Sequence, residues 1–553
     1  MRFYLSLLTG VAALSGAAAV SQEHLDNETA YIPPQCYTKT IDSRGDVHNP
    51  CYTCHAQPQR PNFTNDADLQ LGYDFPDYAL INRWSNLFKD RSEQRSKVGD
   101  ETILAYIRRD NYKQGEQTLL LRQRLEQEAA QWDRDGNGIW NGYTPDAFFK
   151  FDPDGFDYAP DGEPSGWRAF QYYPFPGTFW PANGSFGDAL IRLPDAFRQN
   201  QQGDYDPAIY KVNLAIVESL MREQDISIHP VDERLLNSDL NNDGKLGVAE
   251  HIAYTWNPRA GIAMHFVGKA ALKQQQGRLH AAAGLYPEGT EFLHSVRYLD
   301  IGDNGRVMMA ARMKELRYAR KDLWLSYSDL IESSGEEIKE KHDFPDRLKT
   351  IFGDAEHGIS NGSGWIYQGF IEDTEGKLRP QSFEESAFCI GCHGGLGTTS
   401  DSSFAFPRKL PFSTPSHGWG HASAYDFSGA SEPIRKDGRY AYSTYLEQNG
   451  GGDEFRQNQE LIQRFFNENG QLHAEAVARL HRDIGFVLYP TPERALELNK
   501  AYWLIVREQS YKLGRDALIE PAREVHREVE YEQSTGIEQE FTNPGLLLPP
   551  RNQ

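Results

Sequence analysis

The residues with the clearest chemical meaning form two short motifs of the form Cys-x-x-Cys-His. Together the motifs use four of the five cysteines of the chain. This spacing places two thiols where they can add to the two vinyl groups of haem, and the adjacent histidine can then bind the iron. A zinc site or a thioredoxin-like redox pair would not need histidine at the next position. The spacing therefore predicts two covalently attached haem c groups, bound by Cys51, Cys54, His55, Cys389, Cys392 and His393.

These motifs resemble those of c-type cytochromes. The motifs are specific but short, and the rest of the chain carries no part of the resemblance. The resemblance implies export before haem attachment in a bacterial periplasm. It also implies a few helices wrapped around each haem. We therefore expect a multidomain dihaem cytochrome c that is mainly α, with irregular loops and a β-containing middle region (α+β).

The motifs supply one axial ligand for each iron and do not identify the second. The candidate distal ligands are His294, which lies in a predicted strand and is the preferred choice, and His265. Cys36, in a Pro-rich approach to the first motif, is the remaining cysteine. It is either an inert thiol or a ligand on the far side of a haem iron.

A twelve-residue loop follows the EF-hand pattern of oxygen donors, with Gly244 at its sharp turn. Helices are expected on both sides of this loop. An acidic surface turn without an ion is the alternative interpretation. The predicted calcium ligands are Asp239, Asn241, Asp243, Lys245 (through its carbonyl oxygen) and Glu250.

A second, less complete loop of this kind has Thr144 where the final glutamate would stand, and Asp146 could take its place. The sequence of this loop fits a calcium site and a solvated acidic turn without an ion equally well. The possible ligands are Asp133, Asp135, Asn137 and Ile139.

The first residues predict a signal peptide, because Arg2 precedes a short apolar run and residues 17–19 are alanines. No later stretch is apolar enough to span a bilayer, so we expect a mature chain without a membrane span, periplasmic or secreted. The predicted regions are 1–19 as signal peptide, 20–200 as N-terminal haem region with the variant loop, 201–260 as EF-hand-like helix-loop-helix, 261–380 as β-containing middle region, and 381–553 as C-terminal haem region with a helical tail.

Hydrophobic periodicity and turn residues predict the elements that position these motifs. Residues 205–222 read as a helix, and residues 143–198 as ordered but irregular structure packed by aromatic rings. Residues 291–300 and 307–318 have strand composition on either side of a Gly-rich turn, which predicts a hairpin. Thr491 and Pro492 form a start signal for the longest helix of the tail.

The net charge of −22 disfavours binding to nucleic acid or to an anionic membrane surface. The expected function is electron transfer between periplasmic or extracellular redox proteins, with both irons bound on two faces and with calcium bracing the structure. The alternative is an enzyme of the dihaem peroxidase or oxidase type, in which one haem is open.

Overall fold

The computed structural model describes residues 25–57, 67–178, 180–450, 456, 458–540 and 547–548. The predicted signal peptide at residues 1–19 lies outside the described residues. The described strands, in chain order, are β1 (Thr40–Ile41), β2 (Val47–His48), β3 (Lys113–Gln114), β4 (Thr118–Leu119), β5 (Phe156–Tyr158), β6 (Pro164–Phe170), β7 (Ala189–Arg192), β8 (Ile226–Asp232), β9 (Val248–Ile252), β10 (Glu291–Ile301), β11 (Val307–Lys321), β12 (Phe352–Asp354), β13 (Gly358–Ser360), β14 (Trp365–Glu372), β15 (Leu378–Pro380), β16 (Ile434–Arg435) and β17 (Leu547–Leu548).

Helices precede, separate and follow these strands, and short 3-10 turns join several of them. The described α-helices are α1 (Cys51–Cys54), α2 (Ser92–Ser96), α3 (Asp100–Ile107), α4 (Leu120–Gln127), α5 (Pro207–Arg222), α6 (Glu233–Leu236), α7 (Lys269–Gln275), α8 (Tyr327–Asp343), α9 (Phe383–His393), α10 (Ala405–Arg408), α11 (Ala441–Asn449), α12 (Gln459–Phe465), α13 (Ala474–Leu480), α14 (Gly485–Leu488) and α15 (Pro492–Glu508).

A nine-stranded antiparallel sheet forms the centre of the fold, in the order β12-β13-β14-β11-β10-β7-β6-β5, with β15 beside β14. Its longest pair, β10 and β11, is the predicted hairpin, and its turn places Gly305 at a φ of +74°. The sheet draws strands from residues 156–192, 291–321 and 352–380. The regions 20–200 and 261–380 therefore contribute to one sheet.

Helices cover both faces of the sheet. Neighbouring side chains on a strand point to opposite faces, so residues 190 and 191 pack against different helices. On one face, Ile191 packs with Tyr210 and Leu214 of α5. On the other face, Leu190 packs with Leu125 of α4. Helix α5 begins where Asp206 accepts hydrogen bonds from two backbone amides and Pro207 occupies the first helical position, both of which favour a helix start.

The two ends of the described chain are joined to each other. Isolated bridges pair Thr38 with Val525, Ile81 with Glu528 and Gly72 with Ser534. A buried cluster combines residues of the N-terminal segment, including Trp84 and Leu87, with Val525 and Val529. The N-terminal segment is thus closed by residues close to the C-terminus.

The expectation of a mainly α, multidomain cytochrome fold is wrong, and the protein is an α/β protein built on a large antiparallel sheet. The region 143–198 supplies β5, β6 and β7, although its prolines, glycines and aromatic residues resemble irregular structure. Tertiary pairing with β10 fixes these strands, and that pairing is not visible in local sequence. No helix among the described residues combines the length and the apolar character needed to cross a membrane.

Candidate haem-binding cavity

The first Cys-x-x-Cys-His motif forms the single helical turn α1. The backbone amide of His55 donates to Cys51 O at 2.9 Å, so the two cysteines and the histidine share one helix face. Asn49 fixes the start of the turn, because its side-chain oxygen accepts from the Cys51 amide at 2.8 Å. The Asn49 amide group in turn donates to Thr38 O at 2.7 Å, which ties the motif to the N-terminal segment.

The second motif ends the longer helix α9. This helix begins with a reciprocal capping box between Ser382 and Glu385, which fixes where it starts. The Nδ1 atom of His393 lies 2.8 Å from Ser402 O. A metal-binding histidine characteristically makes such a bond through its other ring nitrogen.

The two motifs are in contact although they lie far apart in sequence. The backbone amide of Thr398, just after the second motif, donates to Cys54 O of the first motif at 3.3 Å. A Cβ atom at Gly397 would clash with the carbonyl oxygen of Ala56, and one at Gly391 would clash with that of Tyr31. The backbones around the two motifs therefore pack directly against each other.

Both motifs line one cavity of about 1200 Å³. A pocket for a single small molecule usually measures about 300–1,000 Å³. This cavity is larger than that, and both motifs line it, so it fits two large flat groups better than one small ligand. The motif residues that line it are Cys51, Cys54, His55, Cys389, Cys392 and His393.

The fifth cysteine, Cys36, lies in the same cavity wall. Burial, together with the nearby Cys392, raises the pKa of the Cys36 thiol to about 12. Burial also raises the pKa of Cys51, with Cys36 as a further cause. Cys36 therefore lies between the two motifs, and in this environment its thiol keeps its proton.

Of the two candidate distal ligands, the structure brings only His294 to the cavity. It lies on β10, paired with Arg317 of β11, and its Nε2 atom is 3.4 Å from the hydroxyl of Tyr172. Burial and the charge of Arg317 lower the pKa of His294 to about 3, so the ring is neutral and able to bind a metal. His265 lies exposed between β9 and α7 and is not part of the described cavity wall.

Sequence reasoning missed the cationic side chains of this cavity. Lys314 and Arg317 of β11 line it, as do Arg408 and Arg515 from later segments. The sequence did contain a signal for them, namely the charged residues within the long predicted strand 307–318. A charged side chain in a central strand is buried, and it then needs a partner or has a function.

The loop from Asp239 to Glu250 forms its sharp turn as predicted, with Gly244 at a φ of +82° and its amide donating to Asp239 Oδ2 at 2.9 Å. The helix-loop-helix prediction is wrong, since the long flanking elements are the paired strands β8 and β9. Glu250 lies exposed on β9. The buried Glu233 closes the loop instead, accepting from the amides of Leu240 at 2.6 Å and of Gly247 at 2.8 Å. Asn241 and Lys245 remain in the turn.

The variant loop receives its missing acid from a distant part of the chain. The ligand atoms of Asp133, Asp135 and Glu356 lie within 4.8 Å of one another, a grouping found within the described residues. Buried Glu356 accepts from the amides of Arg134 at 2.6 Å and Asn141 at 2.8 Å. Asp146, the acid expected to reach back, is paired instead with Arg192 at 2.6 Å. Asn137 and Ile139 stay in the exposed turn.

A family model described as "-like lipoprotein" matches residues 20–482. An Aquifex aeolicus (strain VF5) protein named "Uncharacterized lipoprotein" is 31% identical over 563 aligned positions, which cover 92% of this chain and 88% of the relative. No solved structure matches the chain.

These matches overturn the assignment to the c-type cytochromes, since neither description names a cytochrome, haem or electron transfer. The match to lipoproteins agrees with the prediction of export, and it favours a membrane-anchored protein over a freely soluble one. The family model covers most of the chain, and the relative is similar along nearly its whole length. The chain therefore belongs to this lipoprotein family.

Proposed function

We propose that this exported protein binds two haem groups covalently in the shared cavity and transfers electrons between redox proteins. The observation that supports the proposal is the contact between the two Cys-x-x-Cys-His motifs, which share no sequence neighbourhood yet line one cavity. Haem iron supplies reversible one-electron chemistry. The chain contributes the thiols that attach the groups, the histidines that bind the irons, and the cavity wall that surrounds them.

The acidic surface defines the kind of redox partner expected. With a net charge of −22, the protein should associate fastest with a partner that carries a basic docking patch. Association should slow as the salt concentration rises, because salt screens the charges of both surfaces.

An enzyme with one open haem is the second candidate function. The described cavity wall contains three histidines, His55, His294 and His393, whereas two irons bound on both faces need four ligands. Cys36 could supply the fourth ligand only if iron binding displaced the proton that its thiol keeps in this environment, and without it one iron would be open to peroxide or oxygen. Carbon monoxide binding to the reduced protein, together with a peroxide turnover assay, separates this enzyme from an electron carrier.

The decisive experiment counts covalent haem. Intact mass and haem staining of the full chain, made in a host that attaches haem to exported proteins, should show two groups. The paired variants Cys51→Ala/Cys54→Ala and Cys389→Ala/Cys392→Ala should each lose one group. Cys36→Ala is the matched control and should keep both, and a wild-type chain without covalent haem would refute the proposal.

We further propose a periplasmic location, where haem attachment by such motifs takes place, in a lipid-anchored or a free form. Fractionation of the periplasm and of detergent-solubilised membranes distinguishes the two forms. Calcium stays part of the proposal, as an ion that braces the acidic loops. The Asp133, Asp135 and Glu356 grouping now has the strongest geometry for it.

A further inference from the structure

One part of the cavity wall is rich in hydrogen-bond donors. It consists of Trp180, Lys314, Arg408, Tyr502 and Arg515, which we call the donor wall, and all five line the cavity. They come from four separate parts of the chain. The fold therefore gathers donors that no local pattern connects.

Lys314 is the most deeply placed cation of the donor wall, at 1% exposure. Its Nζ atom donates to Gly184 O at 2.6 Å and to Ser185 Oγ at 3.1 Å, and it lies 4.3 Å from the ring centre of Tyr502. Among the described residues, no carboxylate lies within 4.0 Å of this nitrogen. The carboxylates of Glu315, Glu372 and Asp516 act on it only from a greater distance. A buried ammonium without a contacting counter-charge is costly, so the position calls for an anionic partner.

Arg408 repeats this pattern at 7% exposure. Its guanidinium donates to two carbonyl oxygens, those of Tyr173 and Pro174, each at 2.8 Å. Within the described part of the chain it makes no ion pair with a carboxylate. Two buried cations of one cavity thus have only neutral acceptors, in a protein with a large excess of acidic residues.

Three further donors of the wall have no acceptor among the described residues. They are Trp180 Nε1, the Tyr502 hydroxyl and Arg515 Nε. Trp180 is 0% exposed and Tyr502 is 2% exposed, so water does not readily satisfy them. Buried donors in folded proteins are nearly always bonded, and a set of open donors on residues that line one cavity points to a ligand rich in acceptor oxygens.

We infer that the donor wall binds carboxylate groups of the molecule that fills the cavity. This inference rests on the proposed function in one respect, since the carboxylates would then be the propionates of the attached haems. A free carboxylate that enters the cavity has the same chemistry. Carboxylates match the wall because they accept several charge-assisted bonds and neutralise the buried cations.

The test uses the haem-loaded full chain and measures the reduction potential of each haem by spectroelectrochemistry. In Lys314→Met a positive charge beside a propionate is lost, so the potential of one haem should shift downward. Lys314→Arg keeps the charge, so the potential of this haem should stay close to its wild-type value. Lys89→Met, an exposed lysine paired with Glu508 at 3.0 Å, is the matched control and should leave both potentials unchanged.

Tyr502→Phe provides a second measurement that removes one hydroxyl and keeps the ring. The haem-loaded variant should melt at a lower temperature than the wild type, because its donor bond to the ligand is lost. If the hydroxyl had no ligand, its removal would instead raise the melting temperature, since an unbonded buried donor would disappear. A higher melting temperature therefore contradicts the inference.

Added acetate distinguishes the two sources of carboxylate. A downward shift in Lys314→Met without added acetate, and no acetate effect on the wild type, identifies propionates. A saturable acetate-dependent shift in the wild type that Lys314→Met abolishes identifies a free carboxylate. If Lys314→Met carries two haems with unchanged potentials, the donor wall is refuted and the proposed function stands.

A chain without haem refutes the proposed function instead. In that case acetate binding to the wild type, measured by calorimetry and absent in Lys314→Met, would still support the donor wall.

Discussion

The ring of His393 and the carbonyl oxygen of Ser402 form a hydrogen bond of 2.8 Å between Nδ1 and O. A carbonyl oxygen can only accept, so Nδ1 carries the proton and Nε2 keeps the lone pair that a metal requires. Ser402 and the preceding Asp401 have φ values of +59° and +48°, a region that non-glycine residues rarely adopt. The turn that orients His393 is therefore strained and needs an anchor.

That anchor is the ion pair between Lys321 Nζ and Asp401 Oδ1 at 2.6 Å, with side chains 0% and 1% exposed. Lys321→Met leaves a buried carboxylate unpaired, and we expect the free energy of unfolding to fall by about 3–5 kcal/mol. Chemical denaturation of the haem-loaded chain measures this loss. Lys97→Met, from an exposed pair with Glu93, is the control and should cause no measurable change. Equal stability of Lys321→Met and the wild type would show that the turn does not need its anchor.

If His294 binds a haem iron as proposed, His294→Ala should change the spin state of one haem from low to high, because that ligand would be lost. Absorption and electron paramagnetic resonance spectra of the oxidised protein report the change. His265→Ala is the matched control, since that histidine is exposed and outside the described cavity wall. A spectrum unaltered in His294→Ala would remove His294 as an iron ligand.

Glu315 predicts a specific dependence of stability on pH. Burial alone would raise the pKa of Glu315, but ion pairs with Arg317 at 2.9 Å and Arg515 at 2.8 Å outweigh it and hold the pKa at about 2. The unfolded chain then binds the proton more tightly than the folded one. The stabilisation, about 3 kcal/mol, is complete above pH ~4.5 and is lost as the pH falls towards 2.

Glu315→Gln tests this dependence. The variant should be less stable than the wild type at neutral pH, and the difference in free energy of unfolding should shrink between pH 4.5 and 2. Urea denaturation at a series of pH values measures it. A difference that stays constant over this range would exclude the titration of Glu315 as its cause.

Calcium binding can be assigned to one loop or the other by two matched variants. Glu356→Gln removes a carboxylate that lies within 4.8 Å of those of Asp133 and Asp135, so it should reduce the rise in melting temperature that calcium causes. Glu250→Gln changes an exposed residue of β9 and should have a smaller effect. The reverse order would place the ion in the loop from Asp239 to Glu250. No response of the wild type to calcium or to chelator would exclude both loops.

Local sequence predicted those features that depend on a few neighbouring residues. The β10–β11 hairpin, helix α5 and the start of α15 at Thr491 and Pro492 agree with the structure. The Cys-x-x-Cys-His motifs fix their own geometry, because residues i, i+3 and i+4 of a helical turn share a face.

Features that depend on distant pairing were not predictable in this way. Strands β5, β6 and β7 exist because β10 pairs with β7, and the flanks of the Asp239 loop are strands because β8 pairs with β9. Glu356 joins the Asp133 loop only through the fold, and Lys314 meets Tyr502 for the same reason. These contacts join distant residues, so they leave no periodic pattern of apolar residues in the local sequence.

The closure of the N-terminal segment by residues 525–534 has a consequence for the order of events during biogenesis. Export delivers the chain from its N-terminus, so the first motif emerges before the second and before residues 525–534, which close the N-terminal segment on either side of it. If haem is attached as proposed, this interval is available for attachment at the first motif before the segment around it closes. A chain that lacks residues 525–540 should therefore keep an N-terminal segment that stays without its closing partners even after export is complete.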